Sequence, residues 1–276
     1  MQKLIDLLKA AAFPSELEKW NFCREYLQLV VLRSIFNSPM GAALVFQGGT
    51  CLRICHHLKR YSEDLDFSLE NRGVHYSFKA LHAGILKDLS RLGFEAGGKC
   101  SEDKVVQKAF VRVGGLPQRL GFALPANQKL AIKVTVDARP PRHGVRETHF
   151  VSRMSEFFPV LKYDLPTLFA GKVLAVLLRP YERGRDFYDL LWFLTQRVPG
   201  NLAYFQSGFA QARGQKGTLK TWAEVLQAVS RKIEKINTSH LTKDLRPFLE
   251  DPADLRWLQD YPKVFHKLLQ EQPLSK

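Results

Sequence analysis

The sequence predicts a mixed α/β fold in its first part and an all-helical second part. Before about residue 160, short apolar or alternating segments typical of strands are interspersed with segments of helical periodicity. After residue 160, only helical patterns occur. Hydrophobic residues make up 45% of the 276-residue chain and charged residues 25%, which is typical of a globular protein. We therefore expect an α/β domain with N-terminal helices over residues 1–160 and a helical domain over residues 161–276.

The individual elements follow from local patterns. Ser15 and Glu18 have the spacing of a capping box, which predicts the start of a long helix that ends before Pro39. Strands are predicted over residues 42–46, 62–69, 105–113 and 130–137. Further helices are predicted over residues 51–59, 77–92, 165–178, 185–196, 218–236 and 255–269.

The chain is strongly basic, with 41 Lys and Arg residues against 27 Asp and Glu residues and a formal net charge of +14. A positive field of this size attracts polyanions, of which nucleic acid is the first candidate. No apolar run approaches the roughly 20 residues of a membrane-spanning helix, so we expect no membrane association. The N-terminus lacks the pattern of a secretion signal, and the four scattered cysteines do not form a disulfide framework, so the sequence indicates a cytoplasmic protein.

A Gly-Gly-Thr segment, Gly48 to Thr50, lies between a predicted strand and a predicted helix. Glycine allows a phosphate to approach the backbone closely, and the N-terminus of a helix favours negative charge. The segment is therefore a candidate phosphate-binding turn, although a Gly-Gly pair between two elements also occurs as a simple turn.

Asp64 and Asp66 are two residues apart in a predicted strand, so their side chains point to the same face. Two adjacent carboxylates repel one another unless a positive group lies between them. Mg²⁺ is suited to this position because it prefers carboxylate oxygens together with substrate phosphates. The alternative is a solvated polar strand face, with Leu65 and Phe67 on the core face.

A third carboxylate, Asp137, shares one face of its predicted strand with Lys133 and Thr135. If this strand neighbours the one that carries Asp64 and Asp66, Asp137 can complete an acidic triad of the kind used in two-metal phosphoryl transfer. The alternative is a polar strand end that enters a loop.

Basic residues with helical spacing follow in the second part. Lys172 and Arg179 are placed to share a helix face, and a Lys and an Arg there could neutralise a triphosphate. Arg185 and Asp186 open the next predicted helix, where an Asp also serves as a favourable N-terminal charge.

Together these residues resemble a known family. Gly48-Gly49-Thr50 followed by Asp64-Leu65-Asp66-Phe67 looks like the signature of the nucleotidyltransferase superfamily. The stretch Arg60 to Phe67, the Lys-x-x-Ala of residues 172–175 and the Arg-Asp-Phe-Tyr-Asp-Leu of residues 185–190 narrow the resemblance to the AbiEii/AbiGii nucleotidyltransferase toxins of bacterial abortive-infection and toxin–antitoxin systems. The similarity spans roughly residues 40–195.

The resemblance implies a bilobed protein, in which a nucleotidyltransferase-like mixed sheet flanked by helices is followed by an all-helical C-terminal lobe. It implies transfer of a nucleotide from a nucleoside triphosphate with Mg²⁺ (or Mn²⁺), to an RNA acceptor such as the 3′ end of a tRNA, and a neighbouring antitoxin as partner. The resemblance implies that Asp64 and Asp66 bind the metal, that Gly49 and Thr50 bind phosphate, and that Lys172 and Asp186 take part in catalysis, Asp186 either by orienting Lys172 or by assisting proton transfer. The residues themselves add Asp137 as a candidate metal ligand and catalytic residue, and Gly48, Ser62 and Arg185 as candidates for phosphate binding.

The chain departs from the family pattern at Thr135, where relatives often have an acidic residue. Either Asp137 takes the place of that acid, or the site works with the two carboxylates of Asp64 and Asp66. A different class of function also remains open, because the charge permits a non-catalytic, basic nucleic-acid-binding or interaction protein of a defence system.

Overall fold

The computed structural model describes residues 1–71, 73, 75–125, 127–214 and 219–272. They form two compact units. The first comprises Met1–His57, Tyr61–Pro140 and Thr148–Lys162, and the second comprises Leu58–Arg60, Pro141–Glu147 and Tyr163–Lys276.

Eight described strands form one mixed sheet, with seven strands in the order β3-β5-β6-β2-β1-β8-β7 and β4 paired with β5. Their bounds are β1 Leu44–Gln47, β2 Asp64–Leu69, β3 Glu95–Gly97, β4 Cys100–Ser101, β5 Val106–Gly114, β6 Leu130–Asp137, β7 Arg146–Arg153 and β8 Glu156–Tyr163.

The described helices begin before the sheet and continue to the end of the second unit. Their bounds are α1 Gln2–Lys9, α2 Glu16–Phe36, α3 Gly48–His56, α4 Phe78–Arg91, α5 Leu116–Leu120, α6 Leu165–Leu178, α7 Gly184–Gln196, α8 Leu202–Arg213, α9 Trp222–Ile233, α10 Thr238–Leu245, α11 Arg256–Gln259 and α12 Tyr261–Gln270. The described residues after Tyr163 contain no strand, and the predicted fold class is confirmed.

Strand β2 lies inside the sheet and has one apolar face. It pairs antiparallel with β1 and parallel with β6. Phe67 is buried, with ring centroids 5.4 Å from Phe46 on β1 and 6.1 Å from Phe36 on α2. Because side chains alternate along a strand, burial of Leu65 and Phe67 directs the side chains of Asp64 and Asp66 to the opposite face.

The long helix α2 begins where the capping pattern predicts. The side chain of Ser15 accepts a hydrogen bond from the backbone N–H of Glu18 at 3.2 Å, and the first turn carries Glu16 and Glu18. Helix α3 starts at Gly48, three residues earlier than predicted, and is followed by His57, which adopts the left-handed conformation. The predicted phosphate-binding turn is therefore itself the first turn of α3.

Several elements differ from the prediction. The hairpin of β7 and β8 was not predicted, because β7 is largely polar and its turn is Met154-Ser155 rather than a glycine-containing pair; both turn residues have positive φ. The short strands β3 and β4 were missed, as were helices α1, α5, α8 and α10.

The prediction of a single continuous helix near the C-terminus was wrong. Residues 255–269 do not form one helix, since α11 ends at Gln259 and α12 starts at Tyr261. Pro262 explains the break, because proline lacks an N–H and clashes with the carbonyl four residues earlier.

Helix α9 is shorter than the helix predicted over residues 218–236. The side chain of Thr221 caps it by accepting a hydrogen bond from the backbone N–H of Glu224 at 3.2 Å, and the helix runs from Trp222 to Ile233. The predicted first residue, at position 218, lies outside the described residues.

All four cysteines lie in the first unit, and Cys23, Cys51 and Cys55 are buried in α2 and α3. No helix within the described ranges combines the length and the apolarity needed to cross a lipid bilayer.

Candidate active site

Asp64 and Asp66 lie on the polar face of β2, and both side chains are partly exposed. The parallel pairing of β2 with β6 sets Asp64 beside Lys133 and Asp66 beside Thr135. The Nζ atom of Lys133 is 3.5 Å from Oδ2 of Asp64. The hydroxyl of Thr135 donates a hydrogen bond to Oδ1 of Asp66. The neighbouring strand therefore gives each of the two carboxylates a partner.

The turn at Gly48 lies directly against Asp66. Gln47, the last residue of β1, pairs with Asp66, and Gly48 follows with a φ of +80°. A Cβ atom placed on Gly48 would be only 2.7 Å from Oδ2 of Asp66. Only glycine combines this backbone conformation with so close an approach of a carboxylate.

The first turn of α3 also contacts the start of β2. The buried Thr50 side chain donates a hydrogen bond to the backbone carbonyl of Asp64. The first backbone N–H groups of an α-helix have no acceptor within the helix, and here they belong to Gly48, Gly49 and Thr50. The turn thus places helix N–H groups next to the strand that carries the two carboxylates.

Asp137 lies on the same face of β6 as Lys133 and Thr135, but further along the strand. Its register partner on β2 is Ser68, two residues beyond Asp66. Its Oδ1 atom accepts a hydrogen bond from the backbone N–H of Arg139 at 2.9 Å. One of its carboxylate oxygens is therefore already used to shape the loop that follows β6.

The donor atoms around Asp64 and Asp66 fit a hard divalent cation. Both carboxylates face the same side of β2, and Mg²⁺ commonly takes only one or two carboxylates from a protein and completes its shell with water and substrate phosphates. Across the part of the chain that the structure describes, no group of three or more His, Cys, Asp and Glu side chains is arranged to hold a metal ion. A metal at this place would need further ligands from a substrate.

Ser62 precedes β2 rather than belonging to it, because the strand begins at Asp64, two residues later than predicted. The side-chain amide of Gln28 on α2 donates hydrogen bonds to the backbone carbonyls of Ser62 and Glu63, each at 3.0 Å. These bonds fix the path of the chain into the strand.

The second unit contains a buried network of charged side chains. The guanidinium of Arg60 donates two hydrogen bonds of 2.6 Å to the two carboxylate oxygens of Asp189. The Nζ atom of Lys172 lies 2.7 Å from Oδ2 of Asp189 and 2.8 Å from Oδ1 of Asp186. Arg179 donates to Oδ2 of Asp186. Three cations therefore surround two carboxylates, and Asp189 is completely buried.

This network fixes the charges of Lys172 and Asp186. Burial alone would lower the pKa of the Lys172 ammonium, but Asp186 and Asp189 outweigh burial and raise the pKa above its ordinary value. Burial alone would raise the pKa of the Asp186 carboxyl, but Lys172 and Arg179 hold the pKa below its ordinary value. Lys172 is thus a permanent cation at neutral pH, and Asp186 is a carboxylate with both oxygens occupied.

Arg185 lies next to the network in sequence and packs on an aromatic ring. Its guanidinium carbon is 4.1 Å from the ring centroid of Phe248, within the range of a cation–π interaction. Helix α7, which carries Arg185 and Asp186, begins one residue earlier than predicted, at Gly184.

For four residues, the structure shows contacts that were not predicted from the sequence. Thr135 was noted only as a departure from the expected pattern, and its hydroxyl donates a hydrogen bond to Asp66. Arg60 and Asp189 were noticed only as members of motifs, and Arg179 only as a charge on a helix face. Sequence spacing cannot pair Arg60 with Asp189, because the two residues are 129 positions apart.

Comparisons with known proteins bear on both the family and the fold. The model of a family described as "Nucleotidyl transferase AbiEii toxin, Type IV TA system" matches residues 30–269. A Helicobacter pylori protein of known structure, described as a candidate nucleotidyltransferase, is 18% identical with a TM-score of 0.55, over 90% of this chain and 95% of that chain. A second H. pylori structure, of the protein JHP933, is 15% identical with a TM-score of 0.49, over 91% and 94% of the two chains. No curated protein matches the chain.

We predict that Gly48→Ala lowers both stability and activity. An alanine at this position must adopt the positive φ of Gly48, at a cost of about 1–2 kcal/mol. Its methyl group must also displace the carboxylate of Asp66. Urea unfolding and a nucleotide-transfer assay measure the two effects. Gly84→Ala is the matched control, because nothing lies within 4 Å of a Cβ atom at that helical position. Wild-type behaviour of Gly48→Ala would contradict the contact with Asp66.

We also predict that Asp189→Ala is strongly destabilising, by about 3–5 kcal/mol, because it leaves the cations of Arg60 and Lys172 buried without this partner. The control is Asp260→Ala, which removes an exposed carboxylate 3.7 Å from Lys263 and should change stability by less than about 1 kcal/mol. Urea unfolding at neutral pH compares the two variants. Equal effects would show that the buried network contributes little.

Proposed function

The chain belongs to the AbiEii family of nucleotidyltransferase toxins, and we propose that it transfers a nucleotide from a nucleoside triphosphate to an RNA acceptor, such as the 3′ end of a tRNA. The family resemblance indicated by the motifs and the enzymatic class are confirmed by the match of the family model. The observation that carries the proposal is the placement of Asp64 and Asp66 on one face of β2, with the Gly48 turn and the hydroxyl of Thr135 against Asp66.

In the proposed reaction, a hydroxyl oxygen of the acceptor attacks the α-phosphorus in line. A new oxygen–phosphorus bond forms, the bond to the β-phosphate oxygen breaks, pyrophosphate leaves with the bonding electrons, and the hydroxyl proton passes to water. Little covalent chemistry is required of the protein, so positioning and charge stabilisation dominate. When bound, Mg²⁺ (or Mn²⁺) would neutralise phosphate charge and lower the pKa of the acceptor hydroxyl.

Asp64 and Asp66 are the proposed metal ligands. Thr135 and the Gly48 turn would orient Asp66, since they lie against its carboxylate from the two neighbouring strands. Asp137 is the proposed third ligand. Asp137 pairs with Ser68 and does not lie directly opposite Asp66. The alternative is therefore a metal site with only two protein carboxylates, and mutation of Asp137 distinguishes the two arrangements.

We propose that the remaining site residues bind phosphate groups. The backbone N–H groups of Gly48, Gly49 and Thr50 would bind phosphate oxygens, as helix N-termini do, and the hydroxyl of Ser62 would assist. We propose that Lys172 and Arg185 contribute positive charge for phosphate binding.

We propose that Asp186 acts by orienting Lys172 rather than by proton transfer. Its two oxygens accept hydrogen bonds from Lys172 and Arg179, and its lowered pKa makes it a weak base. Asp189 holds Arg60 in the same way and is fully buried, which favours a structural role.

Two further parts of the proposal follow from family membership. A cognate antitoxin is the expected protein partner, because the family is described as part of a type IV toxin–antitoxin system. Nucleoside triphosphates and RNA are cytoplasmic substrates, so we propose that the protein acts in the cytoplasm.

We predict that Asp66→Asn lowers kcat by about 100-fold or more. Loss of a residue that only hydrogen-bonds to a metal ligand typically lowers activity by roughly 10- to 100-fold, and loss of a direct metal ligand should cost more. The fold should survive, because Asn is nearly isosteric with Asp. Asp137→Asn tests the third ligand: a comparable loss supports three carboxylates, whereas near-normal kcat supports two. Asp103→Asn, at an exposed position in the first unit, is the control. Normal turnover by Asp66→Asn would disprove the metal assignment.

We further predict that nucleotide transfer depends on a divalent cation. The protein is incubated with each labelled nucleoside triphosphate and total cellular RNA, with Mg²⁺ or with excess chelator. Label should enter RNA only with Mg²⁺, and restoring Mg²⁺ should restore transfer. Full turnover in chelator would refute the metal-dependent mechanism, and RNA binding without any transfer would favour a non-catalytic binding protein.

A further inference from the structure

A cavity of about 490 Å³ lies in the second unit, between α10 and α11. Its lining consists only of polar and basic side chains, and contains no carboxylate among the described residues. The lining residues are Thr238, Ser239, Thr242, Lys243, Arg246 and Gln259. A cavity with this lining favours an anion over a neutral or cationic ligand.

The two cations of the cavity are available to a ligand. Lys243 and Arg246 are exposed, and neither forms an ion pair with another described residue. The nearest acid in sequence, Asp244, does not line the cavity. Its Oδ2 atom accepts a hydrogen bond from the backbone N–H of Gly184 at 2.8 Å. The positive charge of the cavity is therefore not cancelled by this neighbour.

The other side chains add hydrogen-bonding capacity. Thr238 and Ser239 contribute hydroxyl donors, and Gln259 contributes an amide. The hydroxyl of Thr242 donates to the backbone carbonyl of Thr238 at 2.8 Å, so it holds the helix rather than a ligand. Several donors and two cations around one cavity match a group with many acceptor oxygens and negative charge, which is the chemistry of a phosphate.

The helix beside the cavity is held firmly against α7. Gly184 begins α7, and a Cβ atom there would overlap the backbone carbonyl of Leu241 on α10. The bond from Gly184 to Asp244 joins the same two helices. Lys243 on α10, and Arg246 directly after it, are thus carried by an element packed against the helix that bears Asp186 and Asp189.

We propose that this cavity binds a backbone phosphate of the acceptor RNA. The proposal rests on the proposed function and extends it to an acceptor site. A polymer is favoured over a free phosphate because both cations are exposed, so the chain of a nucleic acid can continue past the cavity on either side. The net charge of +14 would add a general attraction for the polyanion.

The test measures RNA affinity without nucleoside triphosphate, as a function of salt concentration, for the full-length protein. We expect the double variant Lys243→Ala, Arg246→Ala to bind RNA more weakly. Each lost contact with a single-stranded phosphate should reduce the slope of log K against log salt by about 0.7, or about 1.4 for both. The matched control is Arg231→Ala, Lys267→Ala, which removes one Arg and one Lys from exposed positions of α9 and α12. Its slope should remain that of the wild type.

Three outcomes would overturn the proposal. Equal slopes for the two double variants would mean that only overall charge matters. Loss of inorganic phosphate or pyrophosphate binding by the Lys243, Arg246 variant, with unchanged RNA affinity, would assign the cavity to a small anion. If the wild-type protein neither binds nor labels RNA, the proposed function fails together with the acceptor site. If the wild-type protein labels RNA but the two double variants show the same salt dependence, only the acceptor site fails.

Discussion

The repulsion between neighbouring carboxylates is the physical constraint on which the candidate site depends. Strand β2 places Asp64 and Asp66 on one face because its other face is needed for the core residues Leu65 and Phe67. The protein offsets this charge only in part, with the hydroxyl of Thr135 on one carboxylate and Lys133 at 3.5 Å from the other. A partly compensated pair of carboxylates at the surface is suited to receive a cation.

The second unit resolves the same constraint in the opposite way. Asp186 and Asp189 are buried among Arg60, Lys172 and Arg179, so cations outnumber carboxylates. Burying such a cluster costs free energy unless every charged group is paired. The bidentate hydrogen bonding of Arg60 to both carboxylate oxygens of Asp189 meets this requirement. The second unit therefore holds its carboxylates with an excess of cations, whereas the first unit leaves its pair of carboxylates partly uncompensated.

The sequence was informative where local periodicity determines structure. The alternation in β2 and β6 correctly placed Asp64, Asp66 and Asp137 on strand faces, and α6 has the predicted bounds. Prediction failed where the decisive contact is distant. The hairpin of β7 and β8 lacks a glycine turn, and the bond from Thr135 to Asp66 depends on a strand pairing between residues 69 positions apart. The metal ligands and phosphate contacts themselves remain predictions.

The distribution of cysteine and tryptophan has a practical consequence for studying the two units. All four cysteines belong to the first unit, and three of them are shielded from solvent, whereas three of the four tryptophans belong to the second. A thiol-reactive dye therefore reports opening of the first unit, while intrinsic fluorescence is weighted toward the second. The choice of probe thus allows the unfolding of each unit to be followed separately, without any engineered label site.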